Sequence, residues 1–430
     1  MTDPSAPSTG LPAGDTSACA EFAALSRRGF LRTAALGGAA LSTSTAFGTA
    51  FVETSYAAPR PASSVLVVLS MRGAVDGMSL VVPHGDPAYY AARPRIAIPA
   101  SQLLVRDAFF GLHPGLAPLL PLWRSGRMAA VHATGLAAPN RSHFSAMEAV
   151  EDADPGSSAR VGWLNRLIGR ESSPHPLRAV QVGAPVPPAS LAGPVPSMAL
   201  SDIDAVKLAG HDKWDTQHRR PASMRTMWSG VGGPLGTAAR TAFTAVDDFA
   251  PVQATSPKPA HGAAYPSGDL GAALADAART IRGNVGAEVI TIDHGDWDHH
   301  SGLGTLQWGS MQAMTAEFAR ALAAFFTDLG PAASKVTVVT ISEFGRRTRE
   351  NASFGLDHGY GNVMLLLGAG VKGGYHGAWT PLGTATDDDL AVTTDYRSVL
   401  AEVVTRRLGA SAARVFPGFS PEPVGAVTSL

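Results

Sequence analysis

Unbroken apolar runs and helical stripes alternate along this chain. Ser64–Ser70 (SVLVVLS) is a β-branched run with no polar interruption, the pattern of a strand buried on both faces. It ends in MRGAVDGMS, a loop punctuated by glycine. The stretch DPAYYAARP from Asp86 predicts a turn carrying an aromatic pair. Leu116–Ser125 predicts a helix, Gly126–Ala133 (GRMAAVHA) a second buried strand, and Pro139–Val150 a helix start, with Ser145 and Glu148 at capping-box spacing. Val161–Gly169 follows as a helix and Leu177–Val182 as a third strand.

Residues 184–199 hold five prolines and predict an irregular connection. Ser201 to about Val252 is polar with helical periodicity, and VQATSPKPAHGAAYPSG (252–268) is a low-complexity loop. The whole stretch from about 184 to 268 therefore reads as an irregular insertion. After it the alternation is clear. Leu270–Val285 predicts a helix, Ala287–Ile292 a strand, Leu306–Leu329 a long amphipathic helix, Val336–Ile341 and Val363–Leu367 two strands, and Asp395–Leu408 a closing helix. Strands alternating with long helices predict an α/β fold with a mainly parallel sheet covered on both faces, and ligands beyond the carboxyl ends of its strands.

Composition narrows the function. The 430 residues are 45% hydrophobic, enough for a large core, and 34 basic residues nearly cancel 35 acidic ones. That balance gives no electrostatic case for nucleic acid or an anionic membrane surface. The N-terminus adds an address. Ser26-Arg27-Arg28-Gly29-Phe30-Leu31-Arg32 precedes a weakly apolar stretch from Thr33 to Val52, and Ser55-Tyr56-Ala57 offers small residues where a signal peptidase cuts. This resembles a twin-arginine export signal over residues 1–57, so the export machinery is an expected partner and the expected location is periplasmic or extracellular. So many Gly, Ala, Ser and Thr make a poor membrane anchor. Cleavage would remove three arginines and four acids, leaving 31 of each sign in a single domain over 58–430. Cys19, the only cysteine, would leave with the signal. A metal in the mature chain must then be held by His, Asp, Glu, Asn or Ser.

Polar residues gather at the strand ends. The first strand leads to Asp76, the second to Asn140-Arg141-Ser142-His143, and the fourth to TIDHGDWDHHSG (291–302). Val336–Ile341 leads to Ser342-Glu343-Phe344-Gly345-Arg346, and LDHGYGN (356–362) precedes the last strand. Carboxylates and imidazoles meeting at one sheet edge are what a divalent cation needs. Asp298 and His300 are two apart, so in an extended segment they point the same way and can share one ion, with His299 opposite. Asp293 and Asp296 would shape the turn and Trp297 would pack beneath it. His113, His132, His175 and His376 stand isolated and read as ordinary.

RGAVDGMSLVVPHGDPAYYAARP, NRSHF, GDWDHH, VTVVTISEFGRR, DHGYGNVMLLLGAGVKGG and TTDYRSV, in this order over about residues 64–408, resemble the motifs of the domain-of-unknown-function 1501 family. The resemblance implies a fold similar to the alkaline phosphatase and sulfatase superfamily, a three-layer α/β/α sandwich with metals at the carboxyl edge. It implies Asp76 as a first-strand metal aspartate, Ser142 at the nucleophile's position, Asp298 and His300 as ligands of one ion, Glu343 as a carboxylate for another, and His358 as a further imidazole. Arg141 and Arg346 would bind oxyanion charge. Three departures stand out. Asp-Thr-His is Asp298-His299-His300 here, so either histidine could ligate. Tyr360 stands where a histidine is frequent, and no histidine follows Glu343. They allow one metal or none.

Each residue has a structural alternative. Asp76 can stabilise a turn, Ser142 can start a helix, Arg141 and Arg346 can form ion pairs, Glu343 with Arg346 can fix a loop, and His358 can be a hydrogen-bonded structural histidine. The expected function is hydrolysis or transfer of phosphate, phosphonate or sulfate esters, on a small molecule or a glycan, with zinc, calcium or manganese. A non-catalytic cell-envelope binding or assembly protein, with an envelope protein partner, is the rival. A metal-free serine esterase ranks last, because no G-x-S-x-G occurs.

Overall fold

The computed structural model describes residues 60–429 apart from 155, 172–173 and 209–213; the twin-arginine-like segment lies outside them. No helix among the described residues is long and apolar enough to cross a membrane. The strands are β1 (Val65–Met71), β2 (Val81–Val82), β3 (Gly111–Leu112), β4 (Met128–Gly135), β5 (Ala179–Val182), β6 (Met198–Leu200), β7 (Val289–His294), β8 (Val336–Ile341), β9 (Asn362–Gly368), β10 (Gly374–His376) and β11 (Thr394–Asp395). β2 and β3 form a small antiparallel ribbon. The other nine make one sheet in the order β10-β4-β9-β8-β1-β7-β5-β6, with β11 also against β4.

β1 sits inside this sheet because every one of its seven residues is buried. Its side chains alternate between two cores. Val65, Val67, Leu69 and Met71 enter one, with helices α2 (Asp269–Gly283) and α3 (Ser310–Leu329). Leu66 and Val68 enter the other, with α1 (His143–Asp152) and α4 (Tyr396–Leu408). α2 shows why it packs there: Leu270, Ala273, Leu274, Ala277, Ala278 and Ile281 repeat at three and four residues, a stripe along one side. Each large aliphatic side chain so buried contributes about 1.5–3 kcal/mol against exposure.

β1 pairs in parallel with β7 and β8, and β7 with β5. β9 alone in the run from β4 to β5 is reversed, antiparallel to both β4 and β8. The sheet is therefore mixed, mainly parallel. The reversal brings the start of β9, rather than its end, to the carboxyl edge. Segments that leave β4, β7 and β8, and the segment that enters β9, all lie there together. Among the described residues of 184–268 lie β6 and helices over Arg219–Ser229 and Gly233–Asp248, the latter two in the stretch whose periodicity is helical.

Candidate metal centre

His143 opens α1, with Ser142 as the residue before it. Its Nε2 lies 2.9 Å from His358 Nε2 and 3.5 Å from Asp298 Oδ2. His358 Nε2 is also 2.8 Å from His300 Nε2 and 3.5 Å from Asp298 Oδ1, and His300 Nε2 is 3.3 Å from that same oxygen. Three imidazole nitrogens and one carboxylate thus face a common point. Ligand-capable atoms of His143, Asp298 and His358 all fall within 4.8 Å of one another.

The far side of each ring is tied. His143 Nδ1 is 3.1 Å from Glu343 Oε1, His300 Nδ1 is 3.0 Å from Asp357 Oδ1, and His358 Nδ1 is 2.8 Å from the Arg141 carbonyl. An acceptor at Nδ1 places the proton there, so each neutral ring turns its Nε2 lone pair inward. Lone pairs of three neutral rings at such distances repel unless a cation or a shared proton lies between them. Acceptors behind ligating histidines are the ordinary support of a metal site.

Electrostatics agree with a site built for positive charge. Burial works against charge on Asp298, but hydrogen bonds from His143, His358 and Arg346 hold its carboxyl far below the usual carboxylate range. Burial also opposes charge on His143, and its hydrogen bonds to Asp298 and Glu343 outweigh that, raising its pKa to about 9.

The residues expected from sequence divide accordingly. Asp298, His300 and His358 meet at the centre. His299 points away, as the two-residue period requires; its Nε2 is 3.3 Å from Met314 Sδ, and burial pushes its pKa down to about 4. Asp76 lies inside the core, with both its oxygens engaged by Arg93, at 2.6 and 3.1 Å. Glu343 accepts from Gly73 N, Ala74 N and Ser342 Oγ and faces His143 Nδ1, behind that ring rather than beside its Nε2. Arg346 is fully buried and donates to the carbonyls of Gly73, Ala74 and Leu356, with one edge on Asp298 at 2.6 Å, so it is packed against that carboxylate rather than open to solvent. Ser142 is exposed, with no capping bond from its hydroxyl. Arg141 is partly exposed and paired with Asp389.

Sequence reasoning misses His143 and Asp357, although they lie inside the NRSHF and DHGYGN motifs. The signals for His143 are its position just beyond a buried strand and its place in NRSHF.

The loops meet through glycine. Gly345 N donates to Tyr360 O and Gly359 N to Gly345 O, at 2.9 and 2.8 Å. A Cβ on Gly345 would stand 1.8 Å from the Gly361 carbonyl oxygen. Only glycine lets the loop after β8 lie against the loop before β9, which sets His358 beside His143.

No curated protein matches the sequence. The crystal structure of the lipoteichoic acid synthase LtaP from Listeria monocytogenes is similar over 81% of this chain and 79% of that one, at 8% identity and a TM-score of 0.27. A likeness that slight adds nothing to the geometry. The family model described as Protein of unknown function (DUF1501) matches residues 124–405. That span covers more than half of the chain and includes the centre's four residues, and the chain belongs to that family.

Proposed function

We propose that this is an exported metal-dependent hydrolase or transferase of phosphate, phosphonate or sulfate esters, built on a three-layer α/β/α sandwich of the alkaline phosphatase and sulfatase type. One observation carries the reading: three imidazoles with Nδ1 tied outward direct their Nε2 atoms at Asp298. His143, Asp298, His300 and His358 would hold the ion. Three imidazoles with one carboxylate suit zinc or manganese, whereas calcium prefers an all-oxygen shell. With Asp76 and Glu343 engaged elsewhere, one ion is proposed rather than two.

When bound, such an ion supplies Lewis acidity to an ester oxygen and eases deprotonation of a nucleophile. The chain's own groups do the rest. Arg346 keeps Asp298 anionic, while Glu343, Asp357 and the Arg141 carbonyl fix the ring tautomers. The exposed hydroxyl of Ser142, next to His143, is the candidate nucleophile, with water as the alternative. In the reaction the nucleophile's oxygen bonds to phosphorus or sulfur, the bond to the alcohol oxygen breaks, and the nucleophile's proton ends on the leaving alcohol. Where Ser142 is the nucleophile, water or a second alcohol then displaces the group from its Oγ, which takes back a proton. The Arg141 guanidinium, at 40% exposure, is the candidate partner for anionic ester oxygens.

Elemental analysis of purified protein tests this. About one zinc or manganese per chain is expected in the wild type, far less in Asp298→Asn, and turnover of nitrophenyl phosphate, phosphonate or sulfate only with the metal present. Metal-free protein that gains no activity with either ion would sink the proposal.

The engaged state of Asp76, Glu343 and Arg346 favours one rival, a non-catalytic envelope-binding protein that keeps the ion for structure. A folded, exported Asp298→Asn variant that retains the wild-type phenotype would select it.

A further inference from the structure

A cavity of ≈ 450 Å³ opens beside β4 and β10, lined by Phe109, Phe110, Tyr375 and Trp379 with Asp86, Asp107 and His132 among the polar groups. Its aromatic wall is built, not incidental. Phe109 and Phe110 meet edge to face at 4.8 Å, Trp379 meets Phe110 the same way at 5.3 Å, and Tyr375 lies 5.5 Å from Phe110. The size suits a small organic ligand.

The wall's hydrogen-bonding character is one-sided. Trp379 Nε1 donates to Asp86 Oδ2 at 3.0 Å, the Tyr375 hydroxyl to Val105 O at 3.1 Å, and His132 Nε2 to Gly377 O at 3.1 Å. The ring and hydroxyl donors are therefore already engaged within the wall. Charge is one-sided as well. No lysine or arginine lines the cavity, and burial pushes the His132 pKa down to about 4, leaving it neutral. Asp107 is exposed; one of its oxygens accepts from Phe109 N and Phe110 N, and no described residue hydrogen-bonds the other. What remains is aromatic surface and two carboxylates without a basic partner, Asp86 with both oxygens hydrogen-bonded and Asp107 with one oxygen open.

We propose that this cavity binds an organic cation, a quaternary or protonated ammonium head group, against the aromatic wall with Asp107 as counter-charge. Ring faces attract such cations through their quadrupole, and a nearby carboxylate adds Coulomb attraction. A sugar would need side-chain donors as well as acceptors. The site is separate from the proposed metal centre and stands whether or not that centre is catalytic.

Calorimetric titration with choline, and with its uncharged isostere in which carbon replaces nitrogen, tests the inference on the full chain. Choline is expected to saturate at about 1 mM or tighter, and at least about fivefold more tightly than the isostere. Asp107→Asn keeps the acceptor for the turn and should weaken choline at least about threefold with unchanged circular dichroism. Trp379→Phe should weaken it with the same readout. Co-sedimentation with phosphatidylcholine vesicles would assign the head group to a lipid, and choline binding without it to a free cation. No saturation by choline, equal binding of the isostere, or unchanged affinity in Asp107→Asn each overturns the proposal, as does a sugar that saturates the cavity in choline's place.

Discussion

Glu343 has four donors about it: Gly73 N at 2.7 Å, Ala74 N at 3.0 Å, Ser342 Oγ at 2.9 Å and His143 Nδ1 at 3.1 Å. Burial opposes its charge, but these bonds, His143's first, hold its carboxyl below the usual range. Four donors fill the lone-pair positions of this buried anion, and one of them is the ring of His143, which it orients. Glu343→Gln replaces one acceptor oxygen with an NH₂ that cannot accept from these donors. The variant is expected to fold and to bind zinc about 10–100-fold more weakly, measured by competition with a chromophoric chelator. Unchanged affinity would mean that His143 is oriented by something else. Asp76 shows the opposite case. Its carboxylate also follows a buried strand, yet Arg93, 17 residues on, claims both oxygens.

Elements explain which of these facts the sequence could disclose. β8 coincides with the predicted run Val336–Ile341, and β1 and α2 lie within two residues of theirs, because long apolar periods dominate local choice. β9 is legible as a strand but its direction is not: VMLLL is buried on both faces and reads alike either way. β10 and β11 have three and two residues, too few to show a period. His143 escapes for a related reason. A single histidine at a helix start carries no local pattern, and only the reversed β9 brings His358 to it. The same juxtaposition gives an element-scale prediction. Gly345→Ala, whose methyl would overlap the Gly361 carbonyl, should push apart the loops after β8 and before β9. Metal affinity and melting temperature should both fall; an alanine variant with wild-type zinc binding would show that the loops tolerate separation.

Across the whole molecule, buried neutral histidines tie stability to pH. Burial pushes the pKa of His113 and of His132 down to about 4, from about 6.5 in an unfolded chain. A depressed folded value means the native state resists protonation. The stability is therefore complete above about pH 6.5 and is lost as the pH falls through about 4. His113 Nδ1 accepts from Gly115 N at 2.9 Å, a bond that the side-chain oxygen of His113→Asn can reproduce without titrating. The drop in melting temperature from pH 7 to pH 5 should be smaller in this variant, by the equivalent of about 2 kcal/mol. Equal drops would place the acid sensitivity elsewhere.

The proposed ligands are also far apart along the chain: His143 and His358 are separated by 215 residues, and His300 lies 58 before His358. An ion shared by them would act as a removable cross-link, closing loops that include most of the sheet. It would bind the native chain and hardly the unfolded one, so its binding free energy would add to that of folding. Resistance to unfolding would then follow the supply of metal ions in the surroundings, and a chelator would act as a denaturant.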